Sequence, residues 1–127
     1  MQERPVYLDL TKIRLPMSAF SSITHRLSGI YVFFVTLSLL LYIISESTSS
    51  KSNFDQLLSS LNTFNIFSIF FYISISIFWY HILTGIRHLI MDFFHVGESL
   101  QGANYSAIFV ICFWMLSFLL FLGYNFI

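Results

Sequence analysis

The chain has 127 residues, of which 57% are hydrophobic, 20% aromatic and only 9% charged, and its formal net charge is zero. Soluble domains carry roughly a quarter charged residues, so this composition marks an integral membrane protein, and a balanced charge leaves no electrostatic footprint for nucleic acid. The single cysteine, Cys112, excludes an internal disulfide, and without a C-x-x-C-H motif any haem would be held non-covalently.

The chain opens on a polar, charged segment, MQERPVYLDLTKIRLP, and its first apolar run starts only past residue 20 with no small-residue cleavage site. No cleaved signal peptide is expected. A crossing helix needs about 20 apolar residues, and the first such stretch runs over about residues 22–45. Its start reads SAFSSITHRLSG, Ser18 to Gly29. At 100° per residue, Ser22, Arg26 and Gly29 share one helical face, with His25 beside them. The polar stretch ESTSSKSNFDQ, Glu46 to Gln56, reads as a loop.

The second span is expected over about residues 64–89, and it ends in WYHILTGIRHLIMD, Trp79 to Asp92. His81, Gly85, His88 and Asp92 follow at i, i+4, i+7 and i+11, within a stripe roughly 60° wide. Ser74 extends that stripe deeper, and Arg87 points away from it. Gly85 removes bulk between two histidines, so that something flat or another helix backbone can approach. A second loop, DFFHVGESLQGAN, leads to a third span over about residues 103–124. The expected fold is an all-α, three-span integral membrane protein forming a single anchor domain over 1–127.

Three spans put the termini on opposite sides. Of the six Lys and Arg residues, Arg4, Lys12, Arg14, Arg26 and Arg87 lie on the side of the N-terminus and second loop, against Lys51 in the first loop. The positive-inside rule then places the N-terminus inside and the C-terminus outside. Spans one and two are antiparallel, so the Ser22–Arg26 cluster and the His88 end of span two share a depth.

Charged and imidazole groups in lipid cost several kcal/mol unless something compensates. The plainer compensations are that Arg87 snorkels to the headgroups, that His81, flanked by Phe78, Trp79 and Tyr80, bonds in helix packing, and that His95 is simply solvated. Span hydroxyls usually bond back to their own helix. The more specific reading is chemical. A neutral imidazole in apolar surroundings suits haem iron, whose propionates need cations. His81 would ligate it; His88, on the same face of the same helix, cannot reach the opposite ring face, so the second ligand would come from another chain. A quinone is the other fit, with Ser22 and Arg26 within reach of its carbonyls and the arginine stabilising charge developing on reduction.

At these residues the chain resembles the cytochrome b subunits of succinate dehydrogenase, the larger membrane anchors of respiratory complex II. RPVYLDL, SITHRLSG and HILTGIRHLIMD carry the resemblance, with Thr24 standing where the family has leucine. The resemblance implies haem b with His81 as axial ligand and the other ligand from a small anchor subunit. It implies a ubiquinone site that includes Ser22 and Arg26, with His25 and Arg26 near the haem propionates and a supporting role for Gly85, His88 and Asp92. The partners implied are that small anchor, an iron–sulfur subunit and a flavoprotein subunit, in the bacterial inner or mitochondrial inner membrane. The chain itself has no flavin motif and no cysteine cluster, so it would serve an oxidoreductase without being the dehydrogenase. A haem-free structural anchor, or the anchor of a quinol:fumarate reductase, are the competing readings.

Overall fold

Lipid offers no partner to a backbone N–H or C=O, so an apolar segment crossing it must close its own hydrogen bonds, as a helix does. All regular structure among the described residues of this chain is helical. The computed structural model describes residues 15–95 and 99–126. The RPVYLDL motif and the basic residues Arg4, Lys12 and Arg14 lie outside the described residues.

Helix α1 (Met17–Tyr31) passes through a π-helical stretch, Val32–Thr36, into α2 (Leu37–Ser49), and together they form the first membrane-length helix. The second and third are α4 (Ile66–Phe94) and α5 (Leu100–Phe126). The chain is thus a multi-pass membrane protein; the first and third helices overrun the expected spans at both ends, whereas α4 starts two residues later than expected and runs five residues further. The π stretch inserts one residue into the helical repeat. Ser21 and Ser28 are buried seven residues apart, and the next buried side chains in the same row are Thr36, one residue late, and Leu39.

The segment expected to be a loop, Glu46 to Gln56, is mostly helix. Its first residues finish α2, Ser50 alone breaks the chain, and α3 (Lys51–Asn62) follows, with the Ser50 hydroxyl accepting from the Asn53 N–H. Phe54, Leu57, Leu58 and Leu61 recur at i, i+3, i+4 and i+7, the spacing of an amphipathic helix. Cutting the segment by polarity alone split that pattern. The second loop also shrinks: α4 runs to Phe94, His95 stops it in the left-handed region at φ 53°, and α5 starts at Leu100. His95 is exposed, as expected, and histidine is among the side chains that tolerate this conformation better than most.

Side-chain bonds join the bundle where apolar packing gives no preference for protein over lipid. Between α4 and α5, the Trp79 indole donates to Ser117 Oγ at 2.8 Å and the Trp114 indole to the Ser76 carbonyl at 3.0 Å. Between α1 and α4, the Thr24 and Tyr80 hydroxyls meet at 2.6 Å and those of Tyr31 and Ser74 at 3.1 Å. Asn104 of α5 accepts from the Ser18 N–H, satisfying a free donor at the start of α1, where Pro16 provides no side-chain cap.

Candidate functional site

His25 of α1 and His81 of α4 stack with ring centroids 4.4 Å apart and planes within 7°, and His88 tilts against His25 at 5.1 Å. The shared depth expected for the two polar clusters is therefore present. His81 lies at the midpoint of α4, half-buried, and its nearest ring is His25. The aromatic neighbours in sequence face elsewhere: Trp79 bonds α5, and Tyr80 packs edge-on against Trp114. Tyr80 and Trp79, one and two positions back, point 100° and 200° away from His81, and Phe78 lines a groove with Trp79 and Phe118, so the ring stacked on His81 is a second imidazole.

Two glycines make this approach possible, each facing the histidine of the other helix. A Cβ at Gly29 would lie 3.1 Å from His81 Cε1, tighter than ordinary contact, and one at Gly85 would lie 3.4 Å from His25 Nε2. Gly85 thus does admit a flat group, the His25 ring. Gly29, grouped by spacing with Ser22 and Arg26, is equally important to His81. The Ser28 hydroxyl reaches His81 Nδ1 at 3.0 Å, while Nε2 of His81 makes no hydrogen bond among the described residues. Nothing in the spacing of the motif singled out Ser28; that its side chain falls on the α4-facing side of α1 could have done so.

Ser22 and Arg26 lie on the outer flank of α1, next to the His25 and Gly29 side. Ser22 is half-buried and Arg26 exposed, and neither makes a hydrogen bond or ion pair among the described residues. Asp92 is exposed near the end of α4, in the His88 row. An apolar groove of about 440 Å³ between α1, α4 and α5 opens on the opposite side of α1, past Phe20, Thr24 and Leu27. It touches none of Ser22, His25, Arg26, His81 or His88, although Ser28 forms part of its wall.

Arg87 does not snorkel. It is 5% exposed, its Nε donates to Ser106 Oγ at 3.0 Å, and its Nη2 donates to the Ala103 carbonyl at 2.8 Å. The expected direction, away from the histidine stripe, holds; its destination is α5. The single-sequence pattern shows the direction and hides the acceptors, which lie 16 and 19 residues further on.

No three His, Cys, Asp or Glu side chains among the described residues are arranged to hold a metal ion. The imidazoles stack in place of converging on one point. Each could offer at most one ligand to a centre whose other ligands come from elsewhere, which is the donor set a porphyrin iron asks of a protein.

A family model described as succinate dehydrogenase/fumarate reductase transmembrane subunit matches residues 1–121. This chain belongs to that family. The anchor is 37% identical over 113 residues to the succinate dehydrogenase cytochrome b556 subunit of Coxiella burnetii, covering 87% of this chain and 89% of that protein. It is 38% identical over 90 residues to the succinate dehydrogenase cytochrome b560 subunit of Porphyra purpurea, covering 70% and 71%. Both relatives are named as cytochrome b subunits of succinate dehydrogenase. The family assignment agrees with the resemblance carried by SITHRLSG and HILTGIRHLIMD.

Proposed function

We propose that this anchor is the cytochrome b subunit of a succinate:ubiquinone oxidoreductase, holding haem b through His81 and forming part of the ubiquinone-reduction site through Ser22 and Arg26. The observation that carries the quinone assignment is that these two side chains share the outer flank of α1, beside the histidine cluster, with their hydrogen-bonding capacity unused inside the chain. A guanidinium about 14 Å along α1 from Met17, at 1.5 Å per residue, needs a compensating partner. A quinone oxygen that gains negative charge on reduction is such a partner.

In this reading Arg26 orients one quinone carbonyl and stabilises the charge that develops there, and the Ser22 hydroxyl, one turn earlier, donates to it. His25 and Arg26 sit where haem propionates would approach, and Gly85, His88 and Asp92 support the α4 side. Haem, when bound, supplies a one-electron centre near the quinone. The second axial ligand would come from a small anchor subunit, and electrons from succinate would arrive through flavoprotein and iron–sulfur subunits. The membrane is the bacterial cytoplasmic membrane or the mitochondrial inner membrane.

The quinone assignment is tested on assembled complex. Arg26→Lys should depress succinate-to-quinone turnover, because a point charge on a different stem does not replace the planar guanidinium. Ser22→Ala should act in the same direction, by roughly 0.5 to 1.5 kcal/mol of lost hydrogen bonding. Succinate oxidation by a soluble dye should remain near wild type in both. Normal quinone reduction in both variants would return the pair to a structural role.

We also propose that the N-terminus and the α4–α5 connection face the inside. In a Cys112-free background, a cysteine at Ser50 should label from outside and one at Gln101 should not. The reverse pattern would invert the topology.

A further inference from the structure

Ser28 has one hydroxyl proton and two polar partners within reach. Its Oγ lies 2.7 Å from the His25 carbonyl oxygen, three residues earlier in α1, and 3.0 Å from Nδ1 of His81 across the helix interface. Two oxygens 2.7 Å apart with no proton between them repel, and the low dielectric of a buried interface strengthens that repulsion. Ser28 is 6% exposed, so no bulk water relieves it. The hydroxyl proton therefore belongs to the His25 carbonyl, and the contact with His81 must use a proton carried by Nδ1. A neutral imidazole has only one N–H. With that proton on Nδ1, the lone pair of the ring is on Nε2, the nitrogen without a hydrogen-bond partner among the described residues.

We infer that Ser28 is a positioning residue for the haem iron: it holds His81 in the Nδ1–H tautomer and leaves Nε2 as the ligating atom. The inference rests on the reading of His81 as axial ligand. A metal-ligating histidine generally donates its other N–H to a fixed acceptor, which sets the tautomer and ring orientation and raises the basicity of the ligating nitrogen. Here the acceptor is itself anchored, because Ser28 is tied to the α1 backbone by its donated bond. Gly29 completes the arrangement, since a side chain there would press on His81 Cε1 and push the ring off this acceptor.

The test compares Ser28→Ala, Ser28→Thr and His81→Ala in the assembled, haem-loaded complex, by redox potentiometry and by electron paramagnetic resonance of the ferric haem. Removing the acceptor makes Nε2 less basic and favours ferrous over ferric iron. Loss of such an outer partner typically changes metal affinity by 10- to 100-fold. If a tenfold part of that falls on the ferric state alone, the midpoint potential of Ser28→Ala rises by about 59 mV. The ferric g-values should shift with it. Ser28→Thr, which keeps the hydroxyl, should restore both towards wild type. Wild-type potential and g-values in Ser28→Ala would overturn the role of Ser28, as would equal shifts in the alanine and threonine variants. A wild-type haem spectrum in His81→Ala would instead overturn the axial assignment on which the inference stands.

Discussion

His81→Ala should remove or alter the b-type absorption bands of the complex, while His95→Ala leaves them unchanged. Both are histidines of α4 or its end, yet only His81 sits at mid-span, with its ring pinned between the Ser28 hydroxyl and the His25 face. His95 is exposed beyond the helix, where its backbone conformation matters more than its ring. Alanine at 81 also frees the Ser28 hydroxyl from one contact without orphaning it, because its bond to the His25 carbonyl remains. The bundle should therefore survive, held by the Thr24–Tyr80 and Tyr31–Ser74 pairs on either side. A reduced-minus-oxidised spectrum of purified complex, with subunit content checked on the same sample, reads the outcome. Unchanged bands in His81→Ala would remove axial ligation from this residue.

Arg87→Lys is the second large effect, and it separates a staple from a snorkelling side chain. Lysine snorkels as well as arginine, so a headgroup-seeking residue would tolerate the exchange. The guanidinium of Arg87 instead serves two acceptors at once, Ser106 Oγ and the Ala103 carbonyl, from a 5% exposed position. One ammonium on a flexible stem does not reproduce that fork. Hydrogen bonds to charged groups contribute about 1.5–3 kcal/mol in soluble proteins, and interhelical bonds in membranes average nearer 0.6 with a maximum about 1.7, so the two together amount to roughly 1–3 kcal/mol. Arg87→Met should be milder than Arg87→Lys, because an apolar side chain of similar length leaves no buried charge to satisfy. Thermal dissociation of the complex in detergent should rank wild type above Arg87→Met above Arg87→Lys; a lysine variant as stable as wild type would contradict the staple.

From hydropathy, antiparallel order and 100° arithmetic, the three spans and the shared depth of the His25 cluster and the His88 end of α4 were legible. Arg87 and Ser28 were not. Arg87 could be assigned a direction from its helix, but its acceptors belong to α5, and no periodicity within α4 points to Ala103 or Ser106. Ser28 looked like one more hydroxyl bonding back to its own backbone, which it does; that the same oxygen faces His81 follows only from how α1 meets α4. The helix α3 was hidden for a different reason. Its apolar spacing is present in the sequence, but serine, lysine and aspartate around it lower the local hydropathy to that of a loop.

The π-helical turn at Val32–Thr36 bears on how this span can change in length. An added or lost residue in a regular helix rotates everything beyond it by about 100°, which would carry Thr36 and Leu39 out of the interface. Here one surplus residue is already absorbed in the turn. A relative shorter by one residue between Tyr31 and Leu37 could keep Ser21, Ser28 and the counterpart of Leu39 on one unbroken row, simply by being regular where this chain is wide. Single-residue gaps in comparisons of such anchors therefore belong in this turn, and a helical wheel drawn straight through the first span assigns its outer half to the wrong face.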